Sequence, residues 1–309
     1  MIVKKVFPYC SNYRFNVAVW KNPKNKHLFL IGRELYEKGK KGKPDFSRLF
    51  LIEMDSLQNI ISEKIIWDSF LNNVIFEDPR AIIIDETNII IGLTAVLRSK
   101  KGFDVYPSIL RLGIEDLYDD FPPPFIVLNF GPGKNITPID NNLFLFRPEG
   151  TEYSHSLIIF STQSHVPKKI QKLDFPTDLP WAQWRIGTTT PPFWINDHEA
   201  IMIFHGITID NMNRYVYSLG RARLSIIDNH YKVEAAIEPL LTPDIIRYNF
   251  KSIKVKELHP RLRRVLYACG GIIDSDNPDK LDLYINIGDT ETYQFSISIK
   301  DLKSDLNFS

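Results

Sequence analysis

The sequence has no excess of either charge. Its 38 Lys and Arg stand against 37 Asp and Glu, leaving a formal net charge of +1. Bulk attraction to nucleic acid or to an anionic membrane is thereby excluded, and neither partner is expected. Any anion must be gripped by a local cluster of cations. No apolar run approaches the roughly 20 residues of a membrane span. The stretch Met1–Pro8 lacks the apolar core of a signal peptide. A soluble, cytoplasmic protein is expected.

Cysteine is scarce. Cys10 and Cys269 lie far apart and neither sits in a CxxC pair, which excludes a thiolate zinc site. Both are read as reduced, buried thiols. No His, Asp and Glu cluster has metal-ligand spacing, so no metal is expected. Gly131-Pro132-Gly133-Lys134-Asn135 lacks the first glycine spacing of a phosphate-binding Walker loop, and the Ser or Thr after its lysine. GxSxG, HExxH and EF-hand patterns are missing as well. The sequons Asn135-Ile136-Thr137 and Asn307-Phe308-Ser309 are short enough to arise by chance. Helical periodicity is rare, and its best candidate, Ser56–Ile61, is short.

What the chain has is short apolar runs, rich in Ile, Val, Phe and Tyr and separated by Gly, Pro, Asn and Asp. They include Phe15–Trp20, His27–Ile31, Arg48–Ile52, Ala81–Ile84, Asn88–Leu93, Asn142–Phe146, Ser156–Phe160, Ala200–Phe204, Tyr215–Leu219 and Leu281–Ile287. This is strand-and-turn grammar, and it predicts an all-β fold. A sandwich, a barrel or a propeller fits. Hairpin-like pairs recur at very roughly 50–60 residues, near the length of a propeller blade. No low-complexity linker interrupts the 309 residues, which are read as one continuous domain. The basic stretch Glu37–Pro44 reads as a solvated turn.

Acids and arginines gather at the ends of these runs. In Glu77-Asp78-Pro79-Arg80, the proline pushes Asp78 toward an extended backbone, and Arg80 is placed to pair with a carboxylate and orient it. Arg147 ends a run just before Pro148, where its fork can grip an anion. Trp184-Arg185-Ile186-Gly187 precedes Thr188-Thr189-Thr190-Pro191-Pro192. Beyond them, His205 ends an apolar run and Tyr217 lies in the next, Tyr215–Leu219. Arg, His and Tyr donors converging on one spot would make an anion site.

In this order, these elements resemble glycoside hydrolase family 130, the β-mannoside phosphorylases and related β-mannosidases. The likeness runs from about Asn16 to Asp289. Glu77-Asp78-Pro79-Arg80 resembles the family's EDPR block. Phe146-Arg147-Pro148 resembles its HRP block, with Phe where His is common. Arg185-Ile186-Gly187 through Pro192 resembles KIG…PP, with Arg for the usual Lys. Phe204-His205-Gly206, Tyr217–Gly220, Ala268–Gly271 and Gly288-Asp289 resemble further blocks, and Lys134–Pro138 loosely resembles a segment that carries added contacts.

The resemblance implies a five-bladed β-propeller with its active site on the central axis. It implies inverting chemistry on short β-1,2- or β-1,4-linked mannosides, with Asp78 as general acid acting through a mannose hydroxyl. Inorganic phosphate, a co-substrate rather than a cofactor, attacks the anomeric carbon and gives α-mannose 1-phosphate. Arg147, Arg185, His205 and Tyr217 match phosphate-holding positions. Asn16, Arg33, Arg48, Glu77, Arg80 and Asp289 match sugar contacts. The resemblance also admits a homo-oligomer. One alternative is an inverting β-mannosidase, for which Glu149 or Glu77 would supply the base. Another is a silent sugar-binding propeller.

Overall fold

Most of the apolar runs have no polar face. A strand reads this way when both of its faces are buried. The computed structural model describes residues 2–7, 12–37, 45–69, 74–99, 102–119, 125–163, 166–250, 253, 264–274 and 276–308. Cys10, most of the basic stretch 37–44 and Ser309 of the second sequon lie outside them.

Five antiparallel sheets form the blades of a β-propeller. Strand β1 (Ile2–Lys5) is reserved for the last blade. Blade 1 holds β2 (Tyr13–Lys21), β3 (Leu28–Glu37), β4 (Phe46–Met54) and β5 (Ile60–Asp68). Blade 2 holds β6 (Val74–Ile83), β7 (Asn88–Ser99), β8 (Gly102–Gly113) and β9 (Ile126–Val127). Blade 3 holds β10 (Gly133–Pro138), β11 (Leu143–Pro148), β12 (Ser156–Ser161) and β13 (Lys168–Asp174). Blade 4 holds β14 (Arg185–Thr188), β15 (Phe193–Trp194), β16 (Glu199–Ile209), β17 (Tyr215–Ile227) and β18 (His230–Ala235). Blade 5 holds β19 (Leu266–Ile273), β20 (Lys280–Ile287) and β21 (Glu291–Ser298), and β1 adds to it by pairing with β21.

The core lies between the blades. Leu49 and Leu51 of β4 face blade 2, where they meet Phe76, Ile89 and Ile91. Phe50 and Ile52 of the same strand face blade 5 and meet Tyr284. Blade 2 does the same: Ile90 turns away from Ile89 and Ile91 to join Ile136, Phe144 and Phe160 of blade 3. Alternation along each strand thus feeds two apolar seams. Two further seams join blades 3 and 4 and blades 4 and 5.

The structure corrects one expected element. Ser56–Ile61 is a turn leading into β5, not a helix. Short α-helices do occur among the described residues, α1 (Pro243–Asn249) and α2 (Ile299–Lys303). Among the described residues, no helix is long and apolar enough to cross a membrane.

Candidate active site

The innermost strand of each blade breaks its regular pairing near the axis. The register slips between Phe15 and Ala18, between Glu77 and Arg80, between Lys134 and Thr137, and between Ala268 and Gly270. In blade 4 the break is the gap 189–192 between β14 and β15. Such bulges re-aim side chains. In blades 1, 2 and 3 the residue at the break is Asn16 (φ 53°), Asp78 (φ 53°) and Asn135 (φ 60°), so Asp78 is left-handed rather than extended as Pro79 predicts, because the bulge sets its backbone. Asn and Asp tolerate this left-handed backbone better than other side-chain-bearing residues. Asp289 (φ 55°) adopts it too, in the turn between β20 and β21. Four polar side chains are thereby presented to one space.

That space is a cavity of about 430 Å³ lined by Asn16, Arg33, Asp45, Glu77, Asp78, Lys134, Asn135, Arg147, His205, Tyr217, Tyr267 and Asp289, with Phe15, Val96, Phe103, Val105 and Val265. Asn16 Nδ2 donates to Asp78 Oδ1 at 2.6 Å, and Arg33 Nη1 lies 3.8 Å from the same oxygen. Glu77 is bracketed by Arg33 at 3.1 Å and Lys134 at 3.2 Å. Burial alone would raise the Glu77 carboxyl. The Lys134 ammonium and the Arg33 guanidinium outweigh it and hold the group at about 2. Asp289 accepts from Asn286 Nδ2 at 2.7 Å. Burial, then the charge of Asp78, pushes its carboxyl up to about 6.

Opposite these acids stand donors. Arg147 is buried, and its Nε has no hydrogen-bond partner. It forms no salt bridge among the described residues. His205 is buried with an unpartnered Nδ1. Burial, then the guanidiniums of Arg147 and Arg80, pushes its imidazole well down, so it is neutral at neutral pH. Burial raises the Tyr217 hydroxyl to about 12, leaving it a proton donor. The His205 ring lies 5.6 Å from that of Tyr217 and 5.0 Å from that of Tyr267. Gly187 makes room for this arrangement, because a Cβ there would overlap the Asn135 amide and the His205 ring.

Three residues expected at the site lie elsewhere. Arg48 is 40% exposed, pairs with Asp68 at 2.9 Å and lies over the Tyr36 ring, outside the cavity. Its neighbour Asp68 satisfies it locally. Arg185 is not part of the lining either; its Nη1 lies 3.5 Å from Glu149 Oε2. Arg80 is fully buried behind the cavity. Among the described residues it pairs with no carboxylate. Its guanidinium donates to the Asp78 carbonyl at 2.6 Å, the Thr189 carbonyl at 2.7 Å and Asn135 Oδ1 at 3.2 Å, and also to the Tyr267 hydroxyl. Asn16, Arg33, Glu77, Asp78, Arg147, His205, Tyr217 and Asp289 do converge. Sequence reasoning did not single out Asp45 or Tyr267 and gave no role to Lys134 or Asn135. Asn135 carried a signal: like Asp78, it is a polar residue interrupting a strand shortly before the apolar residues resume. Among the described residues, no group of His, Cys, Asp and Glu could hold a metal ion.

No family model and no curated protein matches the chain. Solved structures do. A glycosyl hydrolase from Bacteroides ovatus is similar over 94% of this chain and 85% of its own, with 12% identity and a TM-score of 0.64. A β-1,2-mannobiose phosphorylase from Listeria innocua, in complex with β-1,2-mannobiose, is similar over 96% and 93%, with 14% identity and a TM-score of 0.64. MPT-4, a mannose phosphorylase from Leishmania mexicana in complex with phosphate, is similar over 93% and 84%, with 15% identity and a TM-score of 0.59. What this chain shares with them is the fold.

Proposed function

We propose that this chain is a carbohydrate-active enzyme of the glycoside hydrolase 130 type, and within it an inverting β-mannoside phosphorylase. The observation that carries phosphorolysis is Arg147: a buried guanidinium at the cavity wall, with an unpartnered Nε and no salt bridge among the described residues. A buried cation without a counter-ion is costly. A phosphate dianion would supply the missing charge, with the Tyr217 hydroxyl and the neutral His205 ring adding donors. Solved propellers of the same fold named as mannose and mannobiose phosphorylases support the substrate class.

The division of labour follows. Asp78, aimed inward by its bulge, protonates the departing oxygen through a sugar hydroxyl. Asn16 fixes its carboxylate. Arg33 and Glu77, locked to each other, offer charge-assisted contacts to sugar hydroxyls. Phosphate attacks the anomeric carbon from the face opposite the leaving group, and its own charge makes a protein base unnecessary. Of the two glutamates considered as bases for hydrolysis, Glu77 is held ionised between two cations, and Glu149 is turned toward Arg185 outside the cavity. Asp289 is the observation that favours hydrolysis, because a buried carboxyl near 6 could accept a proton from water.

Incubation with β-1,2- and β-1,4-mannobiose, with and without inorganic phosphate, separates the two readings. Mannose 1-phosphate formed only with phosphate supports phosphorolysis. Free mannose formed regardless of phosphate makes the chain a hydrolase and moves attention to Asp289.

A further inference from the structure

Two arginines flank the border between blade 3 and blade 4. Arg147 is the last but one residue of β11, and Arg185 begins β14. Burial first, and the charge of Arg185 as well, lowers the pKa of Arg147. The two therefore sense each other as like charges. Among the described residues, one carboxylate lies within ion-pair reach of this pair: Glu149 Oε2, 3.5 Å from Arg185 Nη1 and belonging to the residue just past the end of β11. That contact is long for a charge-assisted bond. Glu149 is 39% exposed while Arg185 is 15% exposed, so the acid reaches in from solvent toward an inner cation. The Arg185 guanidinium is steadied by the Trp184 ring, 5.0 Å away, and that ring packs on Tyr215 at 4.7 Å.

We propose that Glu149 is an internal competitor of phosphate, holding Arg185 until the anion takes its place. The proposal rests on the phosphorolysis reading. A phosphate dianion beside Arg147 offers more charge and more acceptor oxygens than one half-exposed carboxylate. Arg185 then exchanges a weak partner for a strong one and closes on the phosphate from the rim. Glu149 is thus a positioning residue that acts through Arg185. It sets the affinity for phosphate and leaves the affinity for the sugar alone. This also accounts for an arginine expected at the phosphate site lying beside the cavity.

The test titrates the wild type, Glu149→Gln and Arg147→Ala with inorganic phosphate by calorimetry, alongside KM values for phosphate and mannobiose. Losing an exposed partner should tighten phosphate binding roughly two- to fivefold. The KM for phosphate should fall with it, while the KM for mannobiose and the thermal midpoint stay put. If Glu149→Gln binds phosphate no better than the wild type, while Arg147→Ala loses it, the competitor role is overturned and the phosphate site stands. If the wild type binds no phosphate, the phosphorolysis reading itself fails and the inference falls with it.

Discussion

Arg80 Nε donates to the carbonyl of Thr189 at 2.7 Å across 109 positions of sequence. This bond ties the innermost strand of blade 2 to the inner turn of blade 4. The same guanidinium, through Nη1, donates to the carbonyl of Asp78 at 2.6 Å, so one side chain ties the left-handed backbone of the proposed acid to the wall of another blade.

Arg80→Lys should therefore harm both stability and turnover, although Arg80 does not line the cavity. A lysine lacks the planar fork and cannot serve carbonyls lying in several directions. Each buried acceptor left unpaired costs about 1–3 kcal/mol, so a loss of about 3 kcal/mol or more is expected. Thermal or denaturant unfolding measures it. A variant that unfolds like the wild type would refute the tie.

Asp78→Asn should cut turnover of mannobiose with phosphate by about 10²–10⁴-fold, the usual worth of a positioned acid. The amide oxygen can still accept from Asn16, so fold and mannoside binding should persist. Circular dichroism and calorimetric titration with mannobiose check both, and full activity would remove Asp78 from the mechanism.

Asp289 gives a pH signature. Its carboxyl is raised from an ordinary 3.8 to about 6. The native state therefore holds a proton that the unfolded chain has released between these values, and stability from this group declines as pH rises through that window. Asp289→Asn keeps the acceptor for Asn286 and should remove the decline. Denaturant midpoints from pH 4 to pH 8 should show the variant gaining on the wild type as pH rises. Parallel curves would contradict the raised carboxyl. Glu77, held at about 2, has the opposite sign: its contribution is full above the ordinary 4.5 and fades as pH falls toward 2.

Gly187→Ala should push Asn135 and His205 out of place, since both crowd the position a Cβ would take. Overpacking of this kind costs about 1–3 kcal/mol. Turnover should fall further than stability alone predicts, because both displaced side chains line the cavity. Comparing kcat with the unfolding midpoint decides it.

The middle strands of the blades were legible in the sequence because each feeds two apolar seams and so reads as a continuous run. The inner and outer strands were legible only in part: Phe15–Trp20 falls within β2 and Ala81–Ile84 overlaps β6. β10 lends Lys134 and Asn135 to a polar cavity, β14 is only four residues long, and β5 mixes Ser, Glu and Lys with its isoleucines at an exposed edge. β8 carries Pro107 in its interior. At the site, the ordered motifs located Asp78, Arg147, His205 and Tyr217, all of which line one cavity. What motifs could not tell was direction. Arg80 and Arg48 sit in equally plausible contexts, yet one turns inward to carbonyls and the other outward to Asp68. Tyr267 lies in an apolar strand of blade 5, and its role depends on Asn135 and Arg80 from other blades. No local pattern records such a meeting.

The pairing of β1 with β21 has a consequence for how the cavity comes into being. Lys5 and Glu291, partners across this closure, are 286 positions apart. Contacts so distant carry a high loop-closure cost, and topologies built on them fold slowly. Asn16 stands on one side of the blade 5–blade 1 junction and Asp289 on the other. Individual blades can gain their hairpins early from local contacts, but these two side chains share a space only when the ring shuts. During refolding, sheet content should thus rise before sugar binding does, and the cavity is among the last things this chain builds.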